Sequence, residues 1–180
     1  MAKAYRDGVF ELPLLTHDLK QFIARVNLVA TSLPELEFPA FDGAAMERAL
    51  ARAFRGMTLA KEAQAAELKP AIHGHLGQQI GWLDELAPHS IAWPGEKKMK
   101  LLYPETGDSN APELQVKLHE CFDAKEHPRI CEGKVPVRVW LCAPDGKRLQ
   151  STTDWSSFRV NVYPKIKGTL QKKYSGFSWR

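Results

Sequence analysis

Few residues in this chain combine a reactive type with a spacing that could use it. His73 and His75 are separated by one residue. On a helix, positions i and i+2 diverge by about 200°, so these two rings would not share a metal. Adding Cys121, His127 and Cys131 gives no spacing of the usual zinc kind, and the histidines read as solvent-facing or core-edge side chains. A cysteine nucleophile needs a lowered pKa and a base beside it. His119 lies two residues before Cys121, which is proximity along the chain and not geometry. Cys142, at a strand end, reads as a small apolar filler. Turn and cap roles explain Asp84 with Glu85, and Asp145 with Asp154, better than acid–base pairing does. No Gly-x-x-x-x-Gly-Lys-Ser/Thr loop and no Asp-Glu-x-His box is present. The sequence therefore offers no seat for an ATP phosphate or its magnesium, and assigns no catalytic residue, metal or cofactor.

The remaining chemistry is charge interleaved with aromatic rings. The chain carries +4 overall, but residues 134–180 hold ten lysines and arginines against Asp145 and Asp154, a balance of +8. The preceding residues therefore carry −4. Among these cations run Trp140, Trp155, Phe158, Tyr163, Tyr174, Phe177 and Trp179. Cations for phosphates and rings for bases are what a single-stranded nucleic-acid surface requires. Helical spacing places Trp155 and Phe158 in a core instead. Arg159, Lys165, Lys167, Lys172 and Lys173 are the candidate nucleic-acid-binding residues. Lys165 and Lys172 are one heptad apart and share a face. The competing account is a solvated face that keeps a small domain soluble.

These side chains need elements to hold them. Thr16 can cap a helix to about Ala30 with an apolar stripe of Leu19, Phe22, Ile23, Val26 and Val29. Two prolines make 33–39 a loop. Asp42 can cap a second helix to about Arg55, lined by Met46, Ala49, Leu50, Ala53 and Phe54 and closed by Gly56. Thr58 can cap a third to about Leu68, and Pro70 begins a fourth that ends near Leu86. Gly74, Gly77 and Gly81 weigh against that last helix, at about 1 kcal/mol each relative to alanine. From His89 the period changes. Strands are expected over 90–93, 99–103 and 114–118, with 118–122 open to either strand or helix, and a further strand over 135–141. Asp145-Gly146 marks a hairpin turn into 148–152. Asp154 can cap a helix bearing Trp155, Phe158 and Val162, and Pro164 suits the first turn of a last helix that ends near Tyr174. The first fifteen residues read as an extended lead-in, and 106–110 as a loop.

Several strings occur in an order and spacing that resemble the C-terminal domain of HrpB-type helicases, bacterial relatives of the DEAH-box RNA helicases. Gln21-Phe-Ile-Ala-Arg-Val-Asn-Leu-Val-Ala30 resembles the segment that links a helicase core to its tail. Leu83-Asp-Glu-Leu-Ala-Pro88, Val116-Lys-Leu118 with Phe122, His127-Pro-Arg-Ile130 and Gly133-x-Val-Pro-Val137 follow. Pro144-x-Gly146, Thr153-Asp-Trp-Ser-Ser-Phe158, Tyr163-Pro164 and Lys172-Lys-Tyr174 complete the series. Where the family commonly ends in a Lys-x-Pro-Trp string, this chain has Ser175-Gly-Phe-Ser-Trp179. The family's ATPase residues match no position here.

The expected fold is α+β: a helical N-terminal half (1–86) acting as a connector, then a small mixed α/β C-terminal domain (87–180) with an antiparallel hairpin. No apolar run approaches the roughly 20 residues of a membrane span, and the N-terminus lacks an apolar signal core, so a cytoplasmic location is expected. The resemblance implies an accessory helicase domain that touches RNA or another single strand and packs on a helicase core in cis or in trans. The alternative is a protein–protein docking module that uses the apolar stripe of the first helix. A stand-alone enzyme has the least support.

Overall fold

The computed structural model describes residues 15–105 and 111–180, so the expected lead-in and the 106–110 loop lie outside the described residues. The chain is α+β and divides into two compact units, Met1–Ala87 and Pro88–Arg180.

The first unit is helical. Helix α1 (His17–Ser32) starts where the Thr16 hydroxyl accepts the Leu19 N–H at 3.3 Å. Its buried side is wider than the expected stripe: Leu28 joins Leu19, Phe22, Val26 and Val29, whereas Ile23 is half-exposed. Arg25 is also buried, at 1% exposure. Its Nε donates to the Ala87 carbonyl at 2.6 Å, Nη2 donates to the Leu83 carbonyl at 3.3 Å, and the guanidinium pairs with Asp84. These groups lie at the C-terminal end of the helix over Ile80–Leu86, where a cation complements the helix dipole; the Leu83 carbonyl also accepts the Ala87 N–H at 2.9 Å.

Helix α2 (Gly43–Ala53) is capped by Asp42, whose Oδ1 accepts the Ala45 N–H at 2.8 Å. The expected third helix is only the five residues of α3 (Ala60–Gln64). Thr58 does not cap it through its hydroxyl; the Glu62 carboxylate accepts the N–H groups of Thr58 and Leu59, each at 3.0 Å. The expected fourth helix is broken into α4 (Lys69–His73), a 3₁₀ turn (Gly77–Gln79) and α5 (Ile80–Leu86). Gly77 has φ +55°, a left-handed conformation that no α-helix contains. Of the glycines that lowered the helix expectation, Gly74 and Gly77 stand where it breaks, whereas Gly81 lies within α5.

Among its described residues, the second unit is built round three small sheets. Strands β1 (Ser90–Ala92) and β2 (Lys98–Lys100) form an antiparallel hairpin. Strands β3 (Glu113–Lys117), β6 (Arg138–Cys142) and β7 (Arg148–Thr152) form the main sheet in the order β3-β6-β7. There β3 and β6 are parallel, while β6 and β7 are antiparallel. The segment joining β3 to β6 contains a 3₁₀ turn (Leu118–Glu120) and the short pair β4 (Arg129–Ile130) and β5 (Val135–Pro136). A parallel pair needs a crossover of this kind. The single strand expected over 135–141 therefore changes partner partway. Val135 pairs with Ile130, whereas Val139 pairs with Leu114. Pro136 has no N–H for a continuous ladder.

The β6–β7 turn places Gly146 at φ +86°, as the Asp-Gly signal requires. Beyond β7, Asp154 Oδ1 accepts the Ser157 N–H at 3.0 Å and starts α6 (Trp155–Ser157). The two expected helices are one unbroken helical run, α6 passing through a π turn (Phe158–Val162) into α7 (Tyr163–Lys173). Pro164 accounts for the widened turn. It has no N–H, and its ring would collide with the Val160 carbonyl in a regular helix. The Tyr163 N–H instead reaches back to the Phe158 carbonyl.

Candidate nucleic-acid interface

The helical run α6–α7 sorts its aromatic and basic residues into different environments. Trp155 is fully buried. Its indole N–H donates to the Ala124 carbonyl at 2.9 Å, and its ring stacks on Phe158 with centroids 5.6 Å apart and meets Trp93 edge-on at 5.8 Å. The core role expected for Trp155 and Phe158 is what the structure contains. Trp179 is also buried and donates to the Tyr174 carbonyl at 3.0 Å. The Ser175–Trp179 string thus folds back, with Phe177 and Trp179 against His119. Trp140 is covered by the Arg148 guanidinium, 4.5 Å from its ring centre.

The five candidate cations do not share one face. Arg159 and Lys167 line a cleft of about 390 Å³ together with Phe122, Tyr163, Pro164 and Arg180. Lys167 Nζ lies 5.9 Å from the centre of the Tyr163 ring. Lys165 and Lys172 are both exposed. They sit about 180–200° round the helix from buried Tyr163, on the solvent side. Lys173 is exposed and stands over Tyr174 at 5.1 Å. Among the described residues, no carboxylate lies within ion-pair distance of any of the five.

Two residues of the cleft, Phe122 and Arg180, were not among the binding residues expected from the sequence. Phe122 follows the 3₁₀ turn after β3, and its ring centre lies 5.0 Å from that of Tyr163. Arg180 pairs with the exposed carboxylate of Asp123. Tyr163 is 7% exposed, and its hydroxyl has no hydrogen-bond partner. Burial pushes the Tyr163 pKa above the ordinary phenol value. Only the interleaving of rings and cations pointed here; the contributing segments are far apart in sequence.

The remaining reactive side chains have structural roles. The His73 ring stacks on Phe22 at 4.1 Å, and burial lowers its pKa. His75 Nε2 lies 3.0 Å from the Ala40 carbonyl, with its ring edge-on to Phe41. No group of three or more metal-ligating side chains gathers among the described residues. Burial pushes the Cys121 thiol up to about 12 and the Cys131 thiol up to about 11, which suits neither to nucleophilic attack. His127 joins three segments. Its Nδ1 accepts the Trp155 N–H at 3.2 Å, and its Nε2 lies 2.7 Å from the Val137 carbonyl. Asp145 accepts the Tyr174 hydroxyl at 2.8 Å, tying the hairpin turn to the end of α7.

This arrangement has known counterparts. The HrpB_C family, described as ATP-dependent helicase C-terminal, matches residues 49–180. The ATP-dependent RNA helicase HrpB of Escherichia coli (strain K12) is 28% identical over 185 residues, covering 99% of this chain and 22% of that protein. The crystal structure of E. coli DExH-box NTPase HrpB superposes with a TM-score of 0.84 at 25% identity, covering 100% of this chain and 22% of that one. A crystal structure of Escherichia coli DEAH/RHA helicase HrpB gives 0.74 at 26% identity, over 99% and 23%. The chain is a helicase C-terminal domain by fold and belongs to the HrpB_C family. It spans 22% of the length of the curated relative it matches. No helix among the described residues is long and apolar enough to cross a membrane.

Proposed function

We propose that this chain is a cytoplasmic accessory domain of an HrpB-like ATP-dependent helicase, contacting single-stranded RNA through its basic C-terminal unit and packing on a helicase core in cis or in trans. The observation that carries the reading is the α6–α7 run. It buries its large aromatics and leaves Arg159, Lys165, Lys172 and Lys173 exposed and, among the described residues, outside ion-pair distance of any carboxylate, Lys173 being near enough to Asp145 to help lower its pKa. Unpaired surface cations bind phosphates and release counterions, which gives affinity with little sequence preference. The apolar stripe of α1 supports the docking alternative poorly, because Phe22, Val26 and Val29 are already buried.

The test is an anisotropy titration of the chain against a labelled single-stranded RNA over a salt series. Weak binding that falls steeply with salt is expected. No association at low salt would remove the nucleic-acid half of the reading. Docking would then stand on Trp82 and Ile80, which α5 leaves 55% and 37% exposed.

A further inference from the structure

The cleft beside the π turn has contents that surface charge alone does not explain. Its lining includes three cations (Arg159, Lys167 and Arg180) and no acidic side chain. Asp123 pairs with Arg180 from an exposed position. Between the cations stand two rings, Phe122 and Tyr163, tilted 52° to each other. The volume of about 390 Å³ lies within the roughly 300–1,000 Å³ of small-ligand sites.

The second observation is the Tyr163 hydroxyl. It is buried and unpartnered on a residue that lines this cleft. Buried polar groups almost always have a hydrogen-bond partner. The hydroxyl has almost no accessible surface, so only a ligand that draws the Tyr163 ring outward would supply one. Cations alone would suit any anion. Cations with two rings and a hydroxyl suit a group that is anionic at one end and planar at the other.

We propose that this cleft holds one unstacked nucleotide of a single strand, with its phosphate among Arg159, Lys167 and Arg180 and its base against Phe122 and Tyr163. The proposal rests on the reading that this unit contacts nucleic acid, and it locates that contact. The exposed lysines on the far side of α7 then add only diffuse attraction. The π turn is part of the construction, since Arg159 lies within it, Lys167 follows it in α7, and both line the cleft.

Two double variants of the full chain carry equal charge changes and separate the cleft from the outer face: R159A/K167A and K165A/K172A. Anisotropy with a labelled twelve-residue oligouridine is measured over a salt series. Each lost phosphate contact lowers the slope of log K against log salt by about 0.7 for a single strand. The cleft pair is expected to lower it by about 1.4, and the outer pair by clearly less. Phe122→Ala is expected to weaken binding about tenfold through lost stacking. Tyr163→Phe keeps the ring and removes the orphan hydroxyl. It is expected to leave the melting temperature of the free chain unchanged or higher, yet weaken binding about 2- to 12-fold, the worth of one hydrogen bond.

Equal losses from the two double variants, or full affinity in both Phe122→Ala and Tyr163→Phe, would overturn the cleft while leaving nucleic-acid contact intact. No binding by the unaltered chain at low salt would overturn both.

Discussion

His127 should be one of the costliest single positions in the second unit, and its two hydrogen bonds say why. The Trp155 N–H can only donate and the Val137 carbonyl can only accept. Nδ1 must therefore carry the lone pair and Nε2 the hydrogen, so the ring is neutral and its tautomer is fixed. The Trp155 N–H is one of the donors at the start of α6 that the helix leaves unpaired. His127→Ala strands this donor and the Val137 acceptor. At about 1–2 kcal/mol for each buried group left unpaired, the cost is about 2–4 kcal/mol. His127→Gln can still donate to Val137 but offers nothing to Trp155, so about half that loss is expected. Equilibrium urea unfolding read by tryptophan fluorescence suits the measurement. Four of the five tryptophans (Trp93, Trp140, Trp155 and Trp179) lie in this unit, and Trp93 and Trp155 pack on each other.

The same geometry fixes a pH dependence. Burial lowers the His127 pKa in the fold, outweighing the raising effects of the Val137 carbonyl and Asp154; Arg129 adds to the lowering. The unfolded chain therefore takes up the proton first as pH falls, and stability rises with pH in that window. The full contribution is present above the ordinary histidine value of about 6.5. It declines as pH falls through that value and levels off below the folded pKa, with a slope of at most about 1.4 kcal/mol per pH unit. His73, also lowered by burial, adds the same sign in the first unit. The slope that vanishes in His127→Gln is the part belonging to His127. An Ala variant with an unchanged urea midpoint, or identical pH slopes for the unaltered chain and the Gln variant, would refute the argument.

Arg25→Met leaves the Ala87 carbonyl without its 2.6 Å donor and is expected to cost about 1–3 kcal/mol in urea unfolding of the first unit, whereas Asp84→Asn, which changes an exposed partner, should cost under about 1 kcal/mol. Gly146→Val forces a β-branched residue to φ +86° and should lower stability by about 1–3 kcal/mol in the same assay, with Gly146→Asn much milder. Cys121 and Cys131 should resist maleimide at pH 8 in the folded chain and react on unfolding, since burial holds both thiols protonated. Tyr174→Phe should raise the Asp145 pKa, followed by carboxylate NMR, because the Lys147 N–H and the Tyr174 hydroxyl now hold it low.

What could be read from the sequence was local. Thr16 and Asp42 cap the helices they were expected to cap, and Asp145-Gly146 turns where its dihedral preference requires. Each signal acts within four residues of itself. The parallel β3–β6 pairing was not legible, because no periodicity says which distant strand Val139 will meet. Arg25 was missed for a related reason. An arginine inside an apolar stripe ordinarily extends its charge to water, and only the approach of the α5 terminus gives this one a buried role. The π turn was half legible: Pro164 announced a helix start, yet the helix was already running. The cleft draws on residues 122, 159, 163, 164, 167 and 180. Charge and aromatic content marked its neighbourhood, but no spacing rule gathers those positions.

The strings that carry the family resemblance are mostly occupied in holding the fold. His127 supports Trp155 and Val137, and Leu83-Asp-Glu-Leu-Ala-Pro88 supplies the carbonyls that Arg25 binds. Trp155 donates to Ala124, and the Tyr174 of Lys172-Lys-Tyr174 holds the Asp145 of the hairpin turn. Groups already committed to one another have little left to offer a ligand. This is why the resemblance transfers architecture so readily, even though the chain has none of the motor's phosphate-binding motifs. The three cations of the cleft, Arg159, Lys167 and Arg180, lie outside every one of those strings, while the two rings between them, Phe122 and Tyr163, lie inside. On the proposed reading, rings held by the packing with separately placed cations would let the affinity for a strand be set by a few surface substitutions while the packing beneath stays fixed.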